Sequence, residues 1–190
     1  MLFCYNKDGD DMRIISGKFK GRRIDRVNKK TTRETADMVR EAVFQMIEIH
    51  EDDIVLDIFA GSGSYAFEAI SRGAKFAYLS DYDKDAVKTM HHNAELLNCA
   101  NQVEILLRDD KKMLKKIESM RFNLIFIDPP YLYSTYAYLL MSLSKVTDNL
   151  GYVIVETEKK TILNNIYDQL HLQKEKTYGI EKISIYKKIA

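Results

Sequence analysis

Proline is nearly missing from this chain: two of 190 residues, side by side at Pro129 and Pro130. No proline-rich linker or low-complexity stretch divides the sequence, and no internal repeat marks an array. Cysteine is equally scarce. Cys4 and Cys99 are too few for a disulfide framework and lie in no metal-like spacing, which fits plain thiols in a reducing cytosol. No apolar run approaches the roughly 18 residues that a bilayer crossing needs, and Met1 to Asp11 turn acidic too soon for a secretion signal. His50, His91, His92 and His171 are scattered, so no His/Cys/Asp group suggests a metal. The expectation is a soluble, cytoplasmic protein with neither metal nor membrane; a monomer is expected, although the sequence leaves the oligomeric state open.

A hydrophobic share of 46% with 30% charged residues is ordinary globular composition, and the length suits a single domain over residues 1–190. The net charge is only +1, yet it is unevenly spread. Residues 13–30 carry eight basic side chains against one acid, Asp25, an excess of seven positive charges. Such asymmetry is the footprint of a phosphate-binding arm, with a solvated basic hairpin as the alternative. Gly17 and Gly21, four apart, suit a hairpin with basic tips.

After the arm, Val39, Val43, Met46 and Ile47 form the apolar stripe of a helix within residues 35–49. Strand-like and helix-like segments then alternate. Strands are expected at 54–59, 76–81, 103–107, 122–127 and 151–156, and helices at 64–72, 84–97, 110–119, 135–146 and 160–169. This is the rhythm of an α/β fold with a parallel sheet. Residues 170–178 and 183–186 break it as two strands joined through Gly179, predicting a C-terminal antiparallel hairpin at one sheet edge.

The first strand empties into Gly61-Ser62-Gly63, a loose glycine-loop pattern that is weak by itself. Asp57, four residues ahead of Gly61, emerges at the strand's C-terminal end, where an acid repels a pyrophosphate but attracts an ammonium or sulfonium. This disfavours NAD and favours S-adenosylmethionine, although a helix-capping acid is the plainer alternative. Asp81, at the tip of the second strand, is placed to take ribose hydroxyls, and Asp83 to cap the next helix. After the third strand, Asp109 is expected beside an adenine amino group and Asp110 as a cap.

The two prolines follow the apolar run Phe122 to Ile127 in Asp128-Pro129-Pro130-Tyr131. Neither has a backbone N–H, so their carbonyls and the Asp128 carboxylate form an acceptor-rich lip beside the Tyr131 ring. Such a lip suits the amino group of a flat ring. Asp128 and the Pro129 carbonyl would hold its N–H groups and Tyr131 would stack on an extruded base. A rigid strand-exit turn with Tyr131 as core filler is the bland alternative. The strand-end acid Glu156 and the lysines at 111, 112, 115 and 116 are left as loop and solvated-face residues.

Taken together, these residues resemble the bacterial small-subunit rRNA guanine-N2 methyltransferases of the RsmD type. The carriers are Arg13 to Arg22, the helix entry Thr32 to Glu41, Asp57 to Gly63, Glu68 to Ala74, and Asp128 to Tyr131. The resemblance implies a class I, Rossmann-like S-adenosylmethionine-dependent methyltransferase with a seven-stranded sheet and helices on both faces. It implies methylation of one guanine in 16S rRNA, free or in an assembling 30S subunit. Phe59, Asp57, Gly61, Gly63, Asp81 and Asp109 would then bind the cofactor. Arg13, Lys18, Lys20, Arg22, Arg23, Arg33 and Arg40 would face RNA, with 12–34 as the binding arm, 35–190 as the catalytic core and 1–11 as a variable extension. Glu34, Met38 and Ala66 depart from the family's usual proline, arginine and glycine. Three rivals stand beside this reading: methylation of adenine N6 or cytosine N4 in another nucleic acid, an NAD-dependent oxidoreductase, and a nucleic-acid-binding protein with a vestigial core.

Overall fold

The computed structural model describes residues 12–27 and 37–189. The expected extension 1–11, Cys4, and the segment carrying Arg33 and Glu34 lie outside the described residues. Two short antiparallel strands, β1 (Met12–Arg13) and β2 (Arg23–Ile24), come first, with a 3-10 turn at Gly17–Phe19 between them. The expected basic hairpin is therefore present. Next come α1 (Asp37–Phe44), β3 (Ile54–Ile58), α2 (Ser64–Ser71), β4 (Phe76–Asp81), α3 (Lys84–Leu96) and β5 (Val103–Leu107). The chain continues through α4 (Asp110–Ile117), β6 (Phe122–Ile127), α5 (Tyr136–Val146) and β7 (Thr147–Glu158). It closes with β8 (Ile166–Tyr167), β9 (Leu170–Tyr178) and β10 (Glu181–Lys188).

The sheet order is β5-β4-β3-β6-β7-β10-β9-β8. The first five strands run parallel, and β10 is antiparallel to both β7 and β9. Seven longer strands appear as expected, with the two-residue β8 as an added edge. Period-two alternation sends Val55, Leu124, Phe126 and Ile154 toward α1, α2 and α3, while Leu56, Ile125, Ile127 and Val153 meet α4 and α5. Burial on both faces explains the unbroken apolar runs at β3 and β6. Each such buried side chain stabilises the sheet by roughly 1.5–3 kcal/mol.

Two expected elements differ. The helix expected at 160–169 is absent: β8 instead pairs with β9 around Asp168, whose φ is 56°. Tertiary contacts override the local pattern there. The Tyr167 ring meets the Tyr186 ring edge-on at 5.7 Å, and Ser144 Oγ donates to the Asp168 carboxylate at 3.0 Å. The helix expected within 35–49 ends at Phe44, because the Met46 N–H turns back to the Val43 carbonyl, an i→i+3 bond that closes the last turn.

The basic hairpin is packed into the domain rather than appended to it. Glu68 on α2, fully buried, accepts the Ile15 and Ser16 N–H groups at 2.7 and 3.0 Å. Gly17, at φ 80°, lies so close that a Cβ there would sit 1.9 Å from the Ser71 carbonyl oxygen. Asn93 on α3 donates to the Asp25 and Ser62 carbonyls, tying the hairpin to the glycine loop.

Candidate active site

After β5 the chain crosses back over β3 to form β6, so the connections from β3 and β6 leave in opposite directions. Ligand crevices of open α/β sheets form at such a switch point, outside the strands' C-terminal ends. A cavity of about 650 Å³ lies there, and Asp57, Gly61, Asp81, Asp128, Pro129 and Glu156 all line it. Eight carboxylates and one lysine border it in total. That balance of charge favours a cationic ligand.

Gly63 makes the loop possible. Its φ is 79°, and a Cβ would stand 2.6 Å from the Phe67 ring and 2.8 Å from Leu79, so α2 starts hard against β4. Since glycine has no side chain to cap the helix, Asp57 reaches across, its Oδ2 accepting the Ala66 N–H at 3.2 Å. The capping alternative is thus met by a carboxylate that also faces the cavity. Burial pushes Asp57 up to about 8, with the Ala66 N–H opposing and the Asp81 charge adding to the rise. Phe59 also lines the cavity, in a left-handed backbone at φ 67° that costs a non-glycine residue on the order of 1 kcal/mol. Its ring packs edge-on against Tyr133 at 5.3 Å.

Asp81 sits at the end of β4 as expected. One oxygen accepts the Gly61 N–H at 3.0 Å and the other the Asp83 N–H at 2.9 Å, so the carboxylate braces the loop as well as facing the cavity. Burial raises its pKa from the ordinary carboxylate value, against the Asp83 and Gly61 N–H groups that lower it. Asp83 caps α3 by accepting the Asp85 N–H, also as expected. The assignments at Asp109 and Asp110 are corrected. Asp109 caps α4 by accepting the Lys112 N–H at 2.8 Å, a bond that holds its pKa low, and it does not line the cavity. Asp110 instead accepts the Tyr133 hydroxyl at 2.6 Å, behind Phe59. The N-terminal residue of the pair won the cap because its backbone is still extended, at φ −73° and ψ 168°.

Asp128, Pro129, Pro130 and Tyr131 leave β6 together and line the same cavity. Tyr131 is 42% exposed, which rules out the core-filler alternative. Tyr136 borders the lip, and burial together with Asp128 and Glu158 pushes its phenol up to about 12. Two residues left unassigned by sequence reasoning belong here. Glu156 on β7 is buried and accepts the Tyr65 hydroxyl at 3.1 Å, and Tyr65 stacks on Phe126 with ring centroids 4.8 Å apart. The strand-end rule that singled out Asp81 applies equally to Glu156 and would have found it.

The RNA-facing set divides. Arg13, Lys18, Lys20 and Arg23 are exposed on the hairpin. Lys18 donates to the Gln102 side chain at 2.7 Å. Arg22 is committed elsewhere: its guanidinium donates to the Leu96 and Leu97 carbonyls, satisfying the C-terminal end of α3. Arg40 is a plain correction. It is fully buried, pairs with Asp37 at 2.9 Å, lies 3.9 Å from Glu68 and donates to the Arg13 carbonyl, so it braces the hairpin from below. Among the described residues no group of acidic, histidine or cysteine side chains could hold a metal, and no helix is long and apolar enough to cross a membrane.

Known proteins resemble this chain in sequence and in fold. The family model for conserved hypothetical protein 95 matches residues 12–187. Ribosomal RNA small subunit methyltransferase D of Haemophilus influenzae is 34% identical over 182 residues, 93% of each chain. Its Escherichia coli counterpart is 28% identical over 186 residues, covering 94% of this chain and 91% of the relative. A solved Escherichia coli structure of a candidate methyltransferase, yhhF, superposes with a TM-score of 0.80 at 26% identity, covering 95% of this chain and 99% of that one. The expected class I methyltransferase fold is borne out. With the model spanning nearly the whole sequence, the chain belongs to the conserved hypothetical protein 95 family, that of the ribosomal RNA small subunit methyltransferases D.

Proposed function

We propose that this protein transfers the methyl group of S-adenosylmethionine to the exocyclic N2 amine of one guanine in 16S rRNA, free or in an assembling 30S subunit, as a cytoplasmic monomer. The observation that carries the reading is the meeting of Asp57, Asp81 and the Asp128 to Tyr131 lip on one acid-lined cavity. The donor set fits the cofactor: Asp57 and Asp81 offer carboxylates to an ammonium and to ribose hydroxyls beside the Gly61 turn. When bound, S-adenosylmethionine supplies an electrophilic methyl group on a sulfonium. The chain's own residues then position the nucleophile. A guanine amine is poorly nucleophilic because its lone pair is delocalised into the ring, so it must be held and aimed. The Asp128 carboxylate and the Pro129 carbonyl accept its two N–H groups, which leaves the nitrogen directed at the methyl carbon. Tyr131 stacks on the extruded base, an interaction worth about 1–3 kcal/mol. The exposed Arg13, Lys20 and Arg23 lie on the hairpin, where they meet flanking phosphates.

The test is transfer of labelled methyl to 16S rRNA, naked and as partly assembled 30S particles from cells lacking the protein, followed by nucleoside analysis. N2-methylguanosine at one site is the expected product. Label on adenine or cytosine would keep the cofactor and overturn the substrate.

A further inference from the structure

Four carboxylates cross the cavity floor in strand order: Asp81 from β4, Asp57 from β3, Asp128 after β6 and Glu156 from β7. The first two serve the cofactor half. Asp128 serves the amine. Glu156 is left with no role in that scheme, although it too is buried and held by a hydrogen bond. It is 5% exposed, and the Tyr65 hydroxyl donates to its Oε2 at 3.1 Å. Tyr65 is itself locked between Phe126, stacked at 4.8 Å with ring planes 14° apart, and Phe44 at 6.2 Å. A carboxylate aimed by an immobilised phenol is a preorganised acceptor.

Its place relative to the lip follows from strand register. Ile127 pairs with Val155 across the parallel β6–β7 ladder, so the next residues, Asp128 just past the end of β6 and Glu156 still within β7, stand at the same level on neighbouring strands. Such strands lie about 4.8 Å apart. The geometry points to Glu156 as the residue that selects guanine, by accepting the N1–H next to the amine that Asp128 and Pro129 hold. This inference rests on the methyltransferase reading above and adds the base that the site accepts.

The selection is a matter of edge chemistry. Guanine carries an N1–H donor beside its amine, whereas adenine and cytosine carry an unprotonated ring nitrogen beside theirs. A carboxylate therefore bonds guanine and sets two lone pairs against each other with the other bases. Within a buried site, such a mismatch leaves polar groups unpaired and is strongly rejected. The amine lip alone accepts all three bases, and Glu156 supplies the missing discrimination.

The experiment compares two RNAs: a 16S fragment containing the guanine that the wild-type protein labels, and the same fragment with 2-aminopurine at that position. 2-Aminopurine keeps the exocyclic amine but has no N1–H. The wild-type protein is expected to prefer guanine by on the order of 100-fold or more in kcat/KM. Glu156→Gln, whose amide can turn an N–H toward the ring nitrogen, is expected to reduce that preference to less than about tenfold, with the melting temperature and S-adenosylmethionine affinity unchanged. Tyr65→Phe, which frees the carboxylate from its phenol, is expected to fall between the two. If Glu156→Gln and Tyr65→Phe both lose activity on the two RNAs equally, Glu156 supports the fold and the inference is overturned. If the wild-type protein labels no guanine at all, the methyltransferase reading itself fails, and the inference with it.

Discussion

The raised pKa of Asp57 predicts that S-adenosylmethionine, bound against it as proposed, expels a proton. Burial holds this carboxyl protonated up to about 8, whereas its ordinary value is 3.8. A ligand that presses a cation against it favours the ionised form and lowers its pKa, so binding expels a proton at neutral pH. The sign follows directly: the complex holds fewer protons than the free protein below about pH 8, so affinity rises with pH through that window and levels off above it. One pKa unit corresponds to about 1.4 kcal/mol, or tenfold in Kd. Between about pH 6 and about pH 7.5, below the range where an α-amino group titrates, S-adenosylmethionine is expected to tighten by up to about 30-fold. Isothermal titration calorimetry in two buffers of different ionisation enthalpy reads both the affinity and the proton count. Asp57→Asn removes the titrating group, so its affinity should be weaker and nearly flat with pH. A flat wild-type profile without proton release would refute the reasoning. A steep profile surviving in Asp57→Asn would move the titration to Asp81.

Further expectations follow from the lip and the hairpin. Asp128→Ala should abolish methyl transfer while S-adenosylmethionine binding, measured by the same calorimetry, is unchanged; equal loss of both would make the residue structural. Tyr131→Ala should cost about 1–3 kcal/mol in kcat/KM, whereas Tyr131→Phe should stay near wild type, because stacking is the proposed contribution; matching losses would implicate the hydroxyl. Arg22→Ala removes the donor to the α3 carbonyls and should cost about 1 kcal/mol, lowering the melting temperature by about 3 °C. Lys20→Ala should leave the melting temperature alone and reduce the salt dependence of RNA binding by about one unit of log–log slope, read by filter binding across a salt series.

Legibility in the sequence followed the locality of each signal. The alternation from residue 54 to 156 was readable because each strand and helix carries its own period, and Asp57, Asp81 and Asp128 were readable because strand ends in this fold face one crevice. The cap at the Asp109 and Asp110 pair was misassigned because two adjacent acids look alike until the backbone decides which one is extended. Arg40 was misplaced for a different reason. Charge suggests a surface, yet this guanidinium is enclosed by Asp37, Glu68 and the Arg13 carbonyl, partners that come from three separate segments. The helix expected at 160–169 failed similarly, through contacts with Tyr186 and Ser144 that no local window contains.

The way the hairpin docks decides whether it is portable. An arm joined to its enzyme by a linker can be trimmed or grafted onto another catalytic core. This one cannot, since Met12 and Val27 form part of the cavity wall and the hairpin's backbone N–H groups donate to the buried Glu68 carboxylate. Removing it would open the cavity to water and take two hydrogen-bond donors from a buried carboxylate, leaving it its ion pair with Arg72. The segment that carries the basic side chains is therefore also a wall of the cavity, so a change made to one is felt by the other.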